Sequence, residues 1–295
     1  MIRVTDMQYE MDQKLLNPIN TYCYNIMGGH DFMVLITGSA KKRVGKTMLG
    51  CQIGKYAAHV LGTPFDVSNI AFGGKELMKI AQDHPKRSVL IDDESRTDLS
   101  SKRQMETFNK DLMDFFSECG KLNNLIILIA PDFFEFSKSM AVNMSDLLIN
   151  IRREKSEPFA LTQRQLSDSK LNLPIGTPVV KIIRGNWDYY DSFGKKRLYI
   201  WGKKHFDEYN TKYRAAYGEF RLFWPIDTLE YERRKTVFIN RDRAKAKSNK
   251  KTIKMQSAIQ NMIKAGIKQK DIAKYFGFTE AYVSKIKGFD LTLNS

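Results

Sequence analysis

Ala40 is followed, after four residues, by Gly45-Lys46-Thr47 in the segment FMVLITGSAKKRVGKTML, residues 32–49. This is the spacing of a phosphate-binding loop, in which a glycine lets the backbone approach an anion closely. Successive amide N–H groups and the N-terminus of the following helix face the phosphate oxygens. A lysine ammonium lies beside the β and γ phosphates, and a threonine hydroxyl reaches Mg²⁺. On this reading Ala40, Lys41, Lys42, Arg43, Val44, Gly45, Lys46, Thr47 and Met48 cradle ATP, with Thr47 on the metal. Ala40 stands where the strict pattern has glycine, and Gly38 lies just upstream.

Such a loop needs a carboxylate at the end of a neighbouring strand. Ser88-Val89-Leu90-Ile91-Asp92-Asp93-Glu94 supplies three in succession. Asp92 is the expected metal-associated residue, and Asp93 or Glu94 is expected to orient or deprotonate the attacking water. Arg96, Arg103, Arg152 and Arg153 are candidates for a cation that neutralises transition-state charge. Arg152 and Arg153 stand out because they follow the strand-like DLLINI, at an edge where parallel strands bind ligands. At the end of LIILIAPDF, Ala130-Pro131 leaves Asp132 as the nearest polar candidate for a sensor.

These residues must be positioned by alternating strands and helices. Short apolar runs near Phe32–Thr37, Asn69–Phe72, Ser88–Asp92, Leu125–Ala130 and Asp146–Ile151, with amphipathic stretches between them, predict βα units and an α/β fold with a mainly parallel central sheet. From about residue 178 the texture becomes aromatic, basic and β-rich, through VVKIIRG, NWDYYDSFGKK and RLYIWGKK. This predicts an antiparallel extension with Ser192-Phe193-Gly194-Lys195 as a hairpin turn. The nucleotide-binding domain with its extension is thus expected over 1–238.

The run NRDRAKAKSNKK is almost free of apolar residues, so 239–252 is expected to be a solvated basic linker or a nucleic-acid-contacting arm. Over 253–295 helical periodicity returns, and Gln269 to Ile286 resembles a helix-turn-helix. Ile272, Phe276, Val283 and Ile286 would form its core, Ala273 lets the helices cross, Gly277 takes the positive φ of the turn, and Thr279 caps the second helix. That helix would present Thr279, Glu280, Ala281, Ser284 and Lys285 to a major groove. Arg241, Arg243, Lys245, Lys247, Lys250 and Lys251 would add phosphate contacts. Trp187, Tyr189, Tyr190, Tyr199 and Trp201 could stack on single-stranded bases or pack the sheet.

The 295 residues carry 48 Lys and Arg against 33 Asp and Glu, a formal net charge of +15 that favours a polyanionic partner such as DNA. Three cysteines without CxxC spacing suggest neither a zinc site nor a disulfide framework. No apolar run approaches the length of a membrane span, so a soluble, cytoplasmic protein is expected, in the host cytoplasm if viral.

From about Phe32 to Arg153 the chain resembles the additional-strand P-loop ATPases, especially the FtsK/HerA-type DNA translocases and viral genome-packaging ATPases. The residues that carry this are GSAKKRVGKT, VLIDDES, LIILIAP and DLLINIRR. The resemblance implies Mg²⁺-dependent ATP hydrolysis by Lys46, Thr47, Asp92 and Asp93, coupled to DNA translocation or packaging in a virus or mobile element, in a homo-oligomer such as a ring. The Ile-Asp-Asp strand also resembles that of helicase-loader and transposition-helper ATPases, and the layout is similar to phage morphogenesis ATPases of the zonular occludens toxin type. The alternative is an ATP switch for replication initiation, helicase loading or transposition, without movement. A transcription regulator that senses nucleotide and a small-molecule kinase are the remaining readings.

Overall fold

All but the first residue of Phe32–Gly38 are buried, and Val89–Asp93, Leu125–Ile129 and Leu147–Arg152 have the same texture. Near-continuous apolar runs are what strands require when both faces of a parallel sheet are covered. The computed structural model describes residues 2–3, 10–38, 45–93, 122–152, 159–160, 178–179 and 184–287. It divides into a first unit, Met1–Glu232, and a second, Arg233–Ser295.

In chain order the strands are β1 (Ile2–Arg3), β2 (Glu10–Met11), β3 (Phe32–Gly38), β4 (Ile70–Ala71), β5 (Val89–Asp93) and β6 (Leu125–Ile129). They continue with β7 (Leu147–Arg152), β8 (Phe159–Ala160), β9 (Pro178–Val179), β10 (Arg184–Tyr190) and β11 (Ala216–Arg221). Seven of them form one sheet in the order β11-β10-β7-β3-β6-β5-β4. The five from β7 to β4 are parallel, and β10 and β11 extend one edge antiparallel. The chain is therefore an α/β protein with a mostly parallel mixed sheet, and each of the five predicted parallel strands is present within a residue or two.

Helices α1 (Gln13–Met27) and α2 (Lys46–Leu61) cover one face, where α2 rests on Ile36 and Ile129. The opposite face is closed by α3 (Gly74–Asp83), the turns around Phe133, Phe136 and Met140, and α4 (Ser192–Trp201). Strand alternation decides which residues meet which layer. Met33, Leu35, Leu90, Ile126, Leu128 and Leu148 all point into the α3–α4 layer.

The predicted hairpin turn at Ser192–Lys195 is instead the first turn of α4. Asp191 caps it by accepting from Gly194 N at 2.8 Å. Gly194 lies against Tyr213, where an added Cβ would meet the carbonyl oxygen at 2.5 Å. Lys195 and Leu198, three residues apart on one helix face, are fully buried. Tertiary burial thus overrides the β preference of SFGKKRLYIW, and the partner of β10 is β11, a strand the aromatic texture did not reveal. Trp187 and Tyr190 pack inside the sheet layers.

The run expected as a linker, 239–252, is helical, part of α6 (Thr228–Lys264); the short α5 (Phe206–Tyr209) precedes it. Lys, Arg and Ala are strong helix formers, and no Gly or Pro interrupts the segment. The first unit ends within the opening turns of this helix. In the second unit α7 (Gln269–Phe276) and α8 (Glu280–Lys287) bury Ile272, Ala273, Val283 and Ile286 with Ile259 of α6. Among the described residues no helix is long and apolar enough to cross a membrane.

Lys195 provides a test of the α4 anchor. Its ammonium donates to the Ser145 carbonyl and, at 2.9 Å, to Ser145 Oγ. Burial lowers its pKa from 10.5 to about 8, against the opposing pull of Asp146 and Asp191. Between these values the unfolded chain holds the proton more tightly than the folded one, so this group's contribution to stability falls as pH drops through that window and is level below it. Urea unfolding of wild type and Lys195→Met should show a stability difference that moves against the wild type between pH 10.5 and 8. A pH-independent difference would contradict the assignment.

Candidate functional site

The carboxyl ends of the parallel strands form one edge of the sheet, the edge at which open α/β sheets bind ligands. Here β3 ends at Gly38, beside Ile151 of β7, and β5 ends at Asp93, beside Ile129 of β6. Ala40, Lys41, Lys42, Arg43 and Val44 lie outside the described residues. Gly45, Lys46, Thr47 and Met48 are described and half-buried, and Lys46 opens α2. Gly45 has φ +95°, a left-handed conformation that disfavours any side chain. An added Cβ would also meet Leu222 Cδ2 at 2.8 Å and the Phe220 ring at 3.1 Å. The positive φ is the reason this entry to the helix favours glycine, and any side chain would also have to displace Leu222.

Thr47 Oγ1 donates to Asp93 Oδ1 at 2.9 Å. The second carboxylate oxygen of Asp93 accepts from the Tyr231 hydroxyl. Asp93 thus joins the first turn of α2 to a tyrosine at the start of α6. Asp92, expected at the metal, is placed elsewhere. Its side chain points to the opposite face and accepts from Gly73 N at 2.7 Å, fully buried. The reason is the pleat: Ile91 faces α2, where it lies against Gly54, so Asp93 two residues on shares that face, while Asp92 falls on the face of Leu90.

Tyr231 is 2% exposed and packs between Trp224, centroids 5.0 Å apart, and Phe72 at 5.7 Å. Burial first, and then the charge of Asp93, raise its pKa, so the phenol stays protonated and donates. The same two causes, in the same order, push the buried Cys51 thiol well up, which keeps it unreactive. No sequence signal pointed to Tyr231. It lies 138 residues from Asp93 and carries no motif.

Arg152 sits at the expected edge, but its guanidinium grips Asp188. Nη2 donates to Asp188 Oδ1 at 2.9 Å and Nε pairs with Oδ2. Arg214 Nη1 joins the same carboxylate at 3.0 Å, so the fully buried Asp188 of β10 is held by Arg152 of β7 and by Arg214, just ahead of β11. Arg152 is therefore a strut of the sheet edge rather than a free finger. Arg153, Glu94, Arg96 and Arg103 lie outside the described residues. Asp132, the expected sensor, caps a 3₁₀ turn by accepting from Phe134 N at 3.1 Å and pairs with Lys203 at 2.5 Å.

Among the described residues there is no group of three or more His, Cys, Asp or Glu side chains placed to hold a metal ion. Thr47 and Asp93 offer one hydroxyl and one carboxylate. That donor pair fits Mg²⁺, which takes one or two carboxylates and completes its shell with phosphate oxygens and water.

In the second unit Gly277 takes φ +71° and closes α7, with Phe278 N reaching Ala273 O at 2.9 Å. Thr279 Oγ1 accepts from Tyr282 N at 3.3 Å and caps α8. Thr279, Glu280, Ala281, Ser284 and Lys285 are all exposed. The last four recur at i, i+1, i+4 and i+5, so they share one face of α8. Arg241 is exposed on α6. Arg243, Lys245, Lys247, Lys250 and Lys251 lie on the same helix, their side chains outside the described residues.

The chain matches no protein-family model and no curated protein sequence. The two adjacent aspartates make separable predictions. Asp92→Ala removes the acceptor of a buried amide and should lower unfolding free energy by about 1–3 kcal/mol in chemical denaturation. Asp93→Asn keeps an acceptor for Thr47 and should leave the unfolding free energy within about 1 kcal/mol of wild type. Reversal of that order would contradict the placement of the two side chains.

Proposed function

We propose that this chain is a Mg²⁺-dependent ATP hydrolase directed by DNA. The observation that carries the reading is the Thr47–Asp93 pair at the N-terminus of the helix that follows the loop GSAKKRVGKT. The sheet order adds support, because β6 lies between the loop-bearing β3 and the carboxylate-bearing β5. That interposed strand agrees with the resemblance to the additional-strand P-loop ATPases.

Lys46 and the N-terminal end of α2 set positive charge against the β and γ phosphates of ATP. Thr47 and Asp93 would hold Mg²⁺, which would supply neutralisation of phosphate charge. Tyr231 orients Asp93 by donating to its second oxygen. With Asp93 engaged by Thr47, the role of orienting the attacking water passes to Glu94, its neighbour in sequence. The net charge of +15, the exposed face of α8 and the basic residues of α6 support DNA as the partner. The bend of α7 onto α8 through Gly277 is consistent with a helix-turn-helix. We read the work done as translocation or packaging of DNA by an oligomer, with an ATP switch as the alternative.

The test is ATP turnover by the full chain with and without single- and double-stranded DNA. DNA should raise the rate, and a rate indifferent to DNA removes the DNA-directed reading. Lys46→Ala and Asp93→Asn should each lower kcat by at least about 100-fold. Glu94→Gln should retain ATP binding while losing turnover. Turnover that survives Lys46→Ala would sink the hydrolase assignment. Directed movement on DNA separates the motor from the switch.

A further inference from the structure

The segment from α4 to β11 builds a row of rings of which core packing accounts only for the inner members, Tyr209 and Tyr213. Trp201 stacks on Tyr209, centroids 4.3 Å apart and planes 13° apart. Tyr209 stacks on Tyr213 at 6.0 Å and 22°, and Phe193 meets Tyr213 edge-on at 6.5 Å. The inner rings lean on the core, yet Phe193 is 60% exposed and Trp201 42% exposed. An exposed aromatic group at each end of one continuous row, rimmed by charge, is the pattern of an interaction surface.

Cations are interleaved with these rings. Arg197 lies over the Phe193 face, 5.1 Å from its centroid, and Lys212 lies within 5.7 Å of both Tyr209 and Tyr213. Lys196 and Lys204 are exposed in the same segment. Glu208, an exposed acid in the segment, pairs with His205 at 3.2 Å. On α4, Phe193, Arg197 and Trp201 recur every fourth residue, so ring, cation and ring share one helix face. The Lys203–Asp132 ion pair anchors the Trp201 end just past β6, at the sheet edge where Thr47 and Asp93 lie.

We propose that this row is a binding surface for single-stranded nucleic acid, with bases stacking on Trp201 and Phe193 and phosphates meeting Arg197 and Lys212. Aromatic faces accept any base, and duplex bases are already stacked, so the surface selects unpaired strands without reading sequence. An acidic protein partner would use the cations but gain nothing from parallel rings. The inference deepens the reading of a nucleic-acid partner but uses no residue of the nucleotide site.

The test is fluorescence anisotropy of labelled dT20, rU20, a 20-base-pair DNA duplex and a polyglutamate of equal charge, each with the full-length chain. Both single strands should bind through the rings, whereas affinity for the duplex should not change when the rings are removed. The Phe193→Ala/Trp201→Ala double variant should lose at least about 10-fold in dT20 affinity. Trp201→Phe, which keeps a ring, should retain most of it, and ATP turnover without nucleic acid should be unchanged in all variants. Equal dT20 affinity in wild type and double variant overturns the proposal, as does polyglutamate binding as tightly as dT20. Loss of dT20 binding in Trp201→Phe as well as in the double variant overturns it too, because a ring is then not what the ligand requires. If no single strand binds while turnover still depends on Lys46, this surface fails and the hydrolase reading stands.

Discussion

The hydrogen bond from Thr47 to Asp93 is the constraint around which the first unit is arranged. It joins the first turn of α2 to the end of a strand that is not a neighbour of β3, so β6 must lie between them in parallel register. It also requires β5 to present its last residue to the α2 face. A shift of one residue in that strand would exchange the two aspartates and send Asp93 into the layer beneath α3.

The antiparallel edge is part of the same arrangement. Gly45 lies against Phe220 and Leu222, and Gln52 of α2 donates to the carbonyls of Arg221 and Phe223, each at 2.7 Å. The end of β11 therefore walls the entry to α2, and the chain beyond it brings Trp224 and Tyr231 over Asp93. What composition suggests is an appended extension is a side of the site. Two charges buried on this side of the sheet are matched. Asp188 has two arginines, and Lys195 has the two oxygens of Ser145. Buried ions without such partners would be strongly destabilising.

The second unit depends on simpler physics. Its core is a handful of apolar side chains at helical spacing, closed by one glycine at positive φ and one threonine cap. Each of these requirements is local, which is why Ile272, Ala273, Val283, Ile286, Gly277 and Thr279 could all be placed from the chain alone.

The sequence by itself determined the alternation of strands and helices, the parallel core, the loop spacing at Ala40–Thr47, the acidic strand end and the small helical unit. Those features are written in periodicity, in glycine placement and in motif spacing, all of which act over a few residues. Tertiary structure alone decided that Asp93 and not Asp92 meets Thr47, because adjacent strand residues face opposite ways and only packing selects the face that α2 covers. It alone turned Ser192–Trp201 into a helix, since the burial of Lys195 and Leu198 outweighs a local β preference. It alone brought Tyr231 to Asp93 and bound Arg152 to Asp188, contacts between residues 36 to 138 positions apart for which no local pattern exists.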